Sequence, residues 1–231
     1  MPLTLPMKRL TLALLVPGLL GLGGCAGQSV IIDWVDFVQW NGITYLHVPP
    51  ASPGAGEPAL GPQVAAVKRK LADNETNPSH KIQDGEAAFL DAGTAIYSLT
   101  DYRASFRIGV KSASGIAIYE ADTNPTAKTG ADLLDLSGKV DHMTVADSNG
   151  RELTAIRDPA VVAHLVGLIL QAAVDQSAQP SGPQYSVTIH FRDGSQSVRA
   201  FWPSNGELTR GILAGPEFAR AILSARPSPA A

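Results

Sequence analysis

The chain has 231 residues, a formal net charge of −3 and a single cysteine, Cys25. A mildly acidic chain whose one dense basic run is Lys68-Arg69-Lys70 is a poor candidate for nucleic-acid binding. One cysteine excludes an internal disulfide, so the folded body must be held together by burial. The chain is long enough for one large domain or two small ones.

The N-terminal segment has the layout of a secretory leader. Lys8 and Arg9 form a positive region, and residues 10–22 are mainly apolar. A membrane-spanning helix needs about 20 apolar residues, whereas this run is shorter and contains Pro17. We therefore predict a signal peptide over residues 1–24.

Cys25 ends the motif Leu22-Gly23-Gly24-Cys25. The motif resembles the bacterial lipobox, in which the cysteine becomes the new N-terminus and carries acyl chains such as palmitate. The resemblance implies a lipid anchor on Cys25, and two or more acyl chains hold a protein stably on a membrane. The alternative is that Cys25 is an ordinary small residue after an ordinary signal peptide.

A short tether, residues 25–29, joins the anchor to the body. Residues 26–29 reach only ~14 Å when extended, so we expect the body to lie close to the bilayer. Trp34 and Trp40 follow soon after. We interpret them as core or edge aromatics, with contact to lipid headgroups as the alternative.

Residues 30–121 predict a β-rich domain, either a small antiparallel barrel or a sandwich. Asn41-Gly42 lies between two β-rich runs, which predicts a two-residue hairpin turn that pairs Val38 with Tyr45. A Pro- and Gly-rich run predicts a loop over 49–62. Residues 63–71 suit either a short helix or a strand, and we favour the strand. The further predicted strands are 86–90, 94–99, 105–111 and 116–120.

Residues 122–130 are predicted as a linker, followed by an α+β domain over 131–226. Its pattern is ββαββα: an antiparallel sheet with helices on one face. A turn at 148–150 is too short for a parallel connection between its flanking strands. Asp158-Pro159 predicts a helix start, with Val161, Leu165, Leu168, Ile169 and Ala172 on the buried face. Gly215-Pro216 opens a last helix.

Asp193-Gly194 predicts a second two-residue hairpin turn. The core face would then carry Tyr185, Val187, Ile189, Phe191, Val198, Ala200 and Trp202. The opposite face would carry Ser186, Thr188, His190, Arg192, Ser195, Ser197, Arg199 and Phe201. We interpret His190, Arg192 and Arg199 as a candidate surface for an anionic or sugar-like ligand. The alternative is an ordinary solvated sheet face.

The sequence contains no recognisable catalytic motif. A Gly-x-Ser-x-Gly turn is absent from the sequence, and Gly138-Lys139 lacks the upstream glycine of a phosphate-binding loop. The five histidines have no companion at metal-ligand spacing. The sequence therefore predicts no catalytic residue, no metal and no cofactor.

Three stretches, 33–38, 41–45 and 84–97, resemble uncharacterised Bacillus-type membrane-anchored lipoproteins. The resemblance covers mainly residues 30–120. It implies a secreted, anchored, β-rich body, and it brings no assigned activity and no catalytic residue.

These observations predict a lipoprotein of the bacterial cell envelope, anchored on the extracytoplasmic side, that acts as a non-catalytic binding or assembly module. Its expected partners are the membrane, through Cys25, and an envelope polymer or protein. The alternative is a hydrolase-like envelope enzyme with an unrecognised active site, which would need convergent polar residues in a pocket.

Overall fold

The computed structural model describes residues 32–49, 58–209 and 211–224. The signal peptide, Cys25 and the tether lie outside these residues, so those predictions stay predictions. None of the helices in the described ranges has the length and apolarity needed to cross a membrane.

The described residues form two sheets and three helices, which confirms the α+β prediction. The first sheet contains β1 (Phe37–Trp40), β2 (Ile43–Val48), β3 (Leu60–Ala66), β4 (Arg69–Lys70), β5 (Glu86–Ala87), β6 (Ala95–Leu99), β7 (Arg107–Ser112) and β8 (Gly115–Thr123). The second contains β9 (Val140–Ala146), β10 (Glu152–Ile156), β11 (Ala173–Val174), β12 (Tyr185–Phe191), β13 (Gln196–Trp202), β14 (Glu207–Leu208) and β15 (Ile212–Leu213). The helices are α1 (Gly130–Leu133), α2 (Pro159–Gln171) and α3 (Gly215–Ser224).

The first sheet curls around an apolar core, in the order β3-β6-β7-β8-β2-β1-β5-β4. Its strands pair antiparallel except for the short parallel pair of β4 and β5. The side chains buried inside the curl include Val38, Ile43, Tyr45, Ile96, Ile108 and Tyr119. Because neighbouring residues of a strand point to opposite faces, the residues between these positions face outward, some of them toward the second sheet.

The turn between β1 and β2 is the one that the sequence predicts. Asn41 and Gly42 have φ values of 52° and 71°, so both adopt the left-handed conformation that a type I′ turn requires. Val38 pairs with Tyr45 and Phe37 with Leu46. The predicted register of this hairpin is confirmed.

Other boundaries differ from the predictions. Strand β3 begins at Leu60, inside the predicted loop, and tolerates Pro62 because it lies at the edge of the sheet. The strand predicted at 86–90 is reduced to β5, since the chain turns after Ala87. The β-rich region, predicted as a small barrel or sandwich, forms one open, curled sheet.

The second sheet is antiparallel throughout and carries α2 and α3 against its apolar core. Helix α2 begins as predicted: Asp158 accepts hydrogen bonds from the backbone N–H groups of Ala160 at 2.9 Å and Val161 at 3.1 Å. Its buried side chains are Val162, Leu165, Val166 and Ile169. Val161 was predicted on that face but is 39% exposed, because its neighbour Val162, which is 4% exposed, takes the buried position in the first turn.

The two sheets contribute side chains to one buried apolar cluster. Tyr102 and Phe106, from the loop before β7, belong to the same buried cluster as the core of the second sheet. The Phe106 and Phe191 ring centroids lie 6.2 Å apart. Residues 124–129 connect β8 to α1, and the division of the chain into two domains stays a prediction.

Alanine substitutions at two glycines should have opposite effects on the free energy of unfolding. A Cβ on Gly130 would overlap the backbone carbonyl of Ile169, where α1 meets α2, whereas a Cβ on Gly167 in α2 would meet open space. We expect Gly130→Ala to lower the free energy of unfolding by about 1–3 kcal/mol. Gly167→Ala should raise it by about 0.5–1 kcal/mol through helix propensity. Urea unfolding measures both, and equal effects of the two substitutions would contradict the close contact at Gly130.

Candidate functional site

The β12–β13 hairpin has a three-residue loop, one residue longer than predicted. The Phe191 N–H donates to the Ser195 carbonyl at 2.9 Å, and the Gly194 N–H donates to the Phe191 carbonyl at 3.0 Å. Gly194 has a φ of 83°, which suits the left-handed position that closes such loops. Asp193 stabilises the loop by accepting from the Ser195 N–H at 2.8 Å.

This extra loop residue inverts β13 relative to the prediction. His190 pairs with Gln196, Ile189 with Ser197 and Val187 with Arg199. A shift of one residue exchanges the two faces of a strand. The predicted face is therefore wrong: Arg199 is 6% exposed and points inward, whereas Val198, predicted in the core, is 58% exposed.

The three predicted ligand-binding residues thus do not share one surface. His190 lies on the outer face of β12, and Arg192 lies in the hairpin loop, where its Nε is 3.5 Å from the Val140 carbonyl oxygen. Arg199 is on the inner face of β13. The structure brings Arg199 together with residues of the first sheet instead.

A buried cluster of charged and hydroxyl side chains joins the two sheets. Glu120 on β8 accepts from Arg107 on β7 through Nε at 2.9 Å and Nη2 at 2.7 Å. Its other carboxylate oxygen accepts from Ser197 Oγ at 2.6 Å and from Arg199 Nη2 on β13. Arg107 also donates to Ser195 Oγ at 2.7 Å. We call Arg107, Glu120, Ser195, Ser197 and Arg199 the inter-sheet cluster.

Aromatic rings enclose the Arg107 guanidinium. Its central carbon lies 4.1 Å from the ring centroid of Phe191, 4.8 Å from that of Tyr102 and 4.9 Å from that of Phe106. Arg107 is fully buried. A guanidinium over aromatic faces gains cation–π attraction, so the rings compensate part of the lost hydration.

The inter-sheet cluster holds Glu120 in its ionised form. Burial alone would raise the pKa of this carboxyl, but the charges of Arg199 and Arg107 and the hydrogen bonds from Ser197 and Arg107 outweigh it. The pKa of Glu120 therefore lies below its ordinary value. Since both carboxylate oxygens already accept two hydrogen bonds each, Glu120 is better suited to hold its neighbours than to accept a substrate proton.

A cleft of about 380 Å³ opens beside the inter-sheet cluster, between β2 and β8 on one side and β13 on the other. Its apolar lining consists of Leu46, Val48, Pro49, Ala121 and Val198. Glu120, Ser197 and Arg199 contribute polar atoms, and Asp122 and Thr209 lie at its wall. A mainly apolar cleft with a few fixed polar groups has the composition of a ligand site.

Arg199 can still donate a hydrogen bond to a ligand in this cleft. Within the described residues, it donates through Nε to Ser197 and through Nη2 to Glu120, which leaves Nη1 without a protein acceptor there. A guanidinium can donate five hydrogen bonds. A ligand oxygen could therefore bind to Arg199 without disrupting its contact with Glu120.

His47 also lines the cleft. It lies between Leu46 and Val48 on β2, and its side chain is on the opposite face of the strand from theirs. Its Nδ1 lies 3.8 Å from the Asp36 carboxylate, which is too far for a hydrogen bond. Asp36 instead accepts from the Tyr119 hydroxyl at 3.1 Å. This arrangement does not form an activated histidine–carboxylate pair.

His190 stacks on His142 on the outer face of the second sheet, with ring centroids 4.1 Å apart and planes 4° apart. Partial burial, followed by the nearby charge of His142, holds the pKa of His190 below its ordinary value. Parallel rings cannot both direct an in-plane lone pair at one metal ion. In the described part of the chain, no three His, Cys, Asp or Glu side chains are grouped to hold a metal.

The sequence reasoning missed Arg107 and Glu120. Arg107 is the first residue of β7 and Glu120 lies toward the end of β8, and the β7–β8 hairpin pairs them directly across the sheet. Opposite charges at paired positions of one hairpin are a sequence signal for such a contact. The participation of Arg199 had no local signal, because it depends on how the two sheets meet.

Comparison with protein families, with curated proteins and with solved structures found no match for this chain. The resemblance to Bacillus-type lipoproteins therefore stays a prediction.

Removing the carboxylate of Glu120 should destabilise the fold strongly. In Glu120→Gln, two buried guanidinium groups lose their counter-charge, so we expect the free energy of unfolding to fall by about 3–5 kcal/mol. Glu217→Gln is the matched control, since Glu217 makes an exposed ion pair with His164 at 3.1 Å. The control should stay within about 0.5 kcal/mol of the parent in urea unfolding. A loss below about 1 kcal/mol in Glu120→Gln would contradict the role given to the cluster.

The lowered pKa of Glu120 also predicts a pH dependence. Its ionisation contributes stability that is fully present above the ordinary pKa of Glu, about 4.3, and is lost as pH falls through the lower folded-state pKa. The melting temperature of the parent should therefore fall with acidification below about pH 4.5. Glu120→Gln lacks this proton-binding step, and its melting temperature should fall less steeply over the same range. Parallel curves for the two proteins would assign the acid sensitivity to other carboxylates.

Proposed function

We propose that the chain is a lipoprotein of the bacterial cell envelope, anchored through Cys25 on the extracytoplasmic side, that acts as a non-catalytic binding or assembly module. The anchor is supported by the leader and by the Leu22-Gly23-Gly24-Cys25 motif. The binding role is carried by one observation, the cleft between the two sheets with the partly unsatisfied Arg199 at its wall.

The lining of the cleft favours a polypeptide ligand over a sugar. The lining residues include no Phe, Tyr or Trp on whose face a sugar ring could stack. Leu46, Val48 and Val198 suit an aliphatic side chain, and Arg199 suits a backbone carbonyl or a carboxylate. We therefore expect the ligand to be a short apolar segment of a partner protein.

The alternative, a hydrolase-like enzyme, has less support. Ser197 donates its hydroxyl hydrogen to Glu120, and no serine of the described residues is hydrogen-bonded to a histidine. A nucleophilic serine needs a base that can take its proton. Glu120 is a poor base for this purpose, because two arginines hold its pKa low.

The anchor is tested by Cys25→Ser. The parent should carry the mass of acyl chains on Cys25 and partition into the detergent phase, because two or more chains hold it there. The variant should lack the added mass and appear in the aqueous phase or as an unprocessed precursor. A variant that keeps the parent's mass and partitioning would refute the lipid anchor.

The cleft is tested with a displayed library of random short peptides, selected on the full mature protein. Selected peptides should carry aliphatic residues, and Val198→Glu should weaken their binding by about tenfold or more, as measured by titration calorimetry. Val161→Glu is the matched control, because Val161 is also an exposed valine but lies on α2. Peptides that bind both variants equally, or a library without binders, would refute this site.

A further inference from the structure

Strand β13 has an uncovered edge beside the cleft. On one side β12 pairs with it along the hairpin, whereas on the other side β14 pairs only with Phe201 and Trp202. Thr209 extends that contact by one position: its N–H donates to the Ala200 carbonyl at 2.9 Å, and its Oγ1 accepts from the Ala200 N–H at 2.7 Å. Among the described residues, no strand covers this edge of β13 over residues 196–199.

The free backbone groups on this edge belong to Val198. In an antiparallel strand, the N–H and carbonyl groups of every second residue point to the same side, so Val198 directs its groups to the same side as Ala200. Gln196 does so too, and its carbonyl accepts from Arg107 Nη2 at 3.0 Å. Neither the N–H nor the carbonyl of Val198 has a hydrogen-bond partner within the part of the chain that the structure describes.

The free edge faces an apolar wall across the cleft. Residues 196–199 line one side of the cleft, and Leu46 and Val48 of β2 line the other. Leu46 pairs with Glu120, which accepts from Ser197 of β13 at 2.6 Å, so Leu46 lies on the face of the first sheet that meets β13. An extended segment placed along the free edge would therefore have backbone partners on one side and aliphatic side chains on the other.

We infer that the cleft takes its polypeptide ligand as an extended strand that pairs with β13 at Val198. This inference rests on the proposed binding function of the cleft. The added strand supplies a carbonyl to the Val198 N–H and an N–H to the Val198 carbonyl, as in other complexes that extend a sheet at its edge. Because side chains alternate along a strand, every second side chain of the ligand contacts Leu46 and Val48, and the intervening ones lie on the exposed side of Val198.

The sequence favours a partner protein as the source of this strand. The chain's own residues 50–57 follow Pro49, which lines the cleft, but they include two prolines and two glycines. Proline has no N–H to donate to a ladder, and glycine weakens a strand. A partner segment with aliphatic residues at alternate positions meets both the apolar wall and the free backbone groups.

Methylation of the ligand backbone tests the pairing without changing the protein. A peptide selected on the full mature protein is remade as a series in which one backbone nitrogen at a time carries a methyl group. Methylation of the N–H that donates to the Val198 carbonyl should weaken binding by about tenfold or more in titration calorimetry. The N–H groups of the two neighbouring peptide residues point away from β13, so their methylation should change the affinity by less than about threefold.

Amide hydrogen exchange, followed by NMR, identifies the edge that is used. The Val198 amide should exchange rapidly in the free protein, since it has no partner, and at least about tenfold more slowly when the unmodified peptide is bound. The Arg199 amide is the internal control. It points toward β12, so it should be protected to a similar extent in the free and the bound protein.

The outcomes separate this inference from the proposed function. If peptides bind the parent and lose affinity in Val198→Glu, but methylation has no position-dependent effect or the Val198 amide gains no protection, strand pairing is refuted and the cleft remains the binding site. A Val198 amide already protected in the free protein also refutes the inference; dependence on protein concentration would assign the edge to a second copy, and independence to the chain's own residues. A library without binders refutes the proposed function and the pairing together.

Discussion

The carboxylate of Glu120 is the group on which the arrangement of the two sheets depends. It is the counter-charge of Arg107, which comes from its own sheet, and of Arg199, which comes from the other. Moving such charges out of water costs several kcal/mol per ion, and their attraction repays this only when the geometry is good and the remaining donors are satisfied. The sheets are therefore held in the one relative position that completes these hydrogen bonds.

The surroundings of the cluster show how that requirement is met. The Ser195 hydroxyl accepts from Arg107, the Ser197 hydroxyl donates to Glu120 and accepts from Arg199, and aromatic rings cover Arg107. Apolar residues of similar volume could stabilise the same interface as well or better, because buried ion pairs are weak contributors to net stability. Their value here is directional: an apolar contact tolerates sliding between two sheets, whereas a carboxylate with four fixed donors does not.

The two glycine turns show how far the sequence could predict this fold. Asn41-Gly42 and Asp193-Gly194 carry the same local signal, yet the first forms a two-residue turn and the second belongs to a three-residue loop. The difference does not lie in the alternation pattern, since both faces of β13 contain residues that could be buried. It lies in tertiary contacts, because only the longer loop turns Ser197 and Arg199 toward Glu120.

The candidate site shows the same limit of local sequence patterns. Arg199 was singled out from the sequence as a candidate binding residue, but it was assigned to solvent because isolated charges are rarely buried. Its partner Glu120 lies 79 positions earlier, beyond the reach of any local pattern. Helix starts and hairpins with strong local chemistry could be predicted, whereas the cleft required knowledge of how two distant segments meet.

Strand β13 carries two usable faces, and the loop before it selects between them. One face offers Ser197, Arg199 and Phe201, and the other offers Val198, Ala200 and Trp202. Loss of a single residue between Phe191 and Ser195 would present the second face to the first sheet and leave Glu120 opposite aliphatic side chains. Deletions in exposed loops are usually among the mildest changes that a protein can undergo. Here such a deletion would replace a polar interface between the sheets with an apolar one, without altering any residue of the strand.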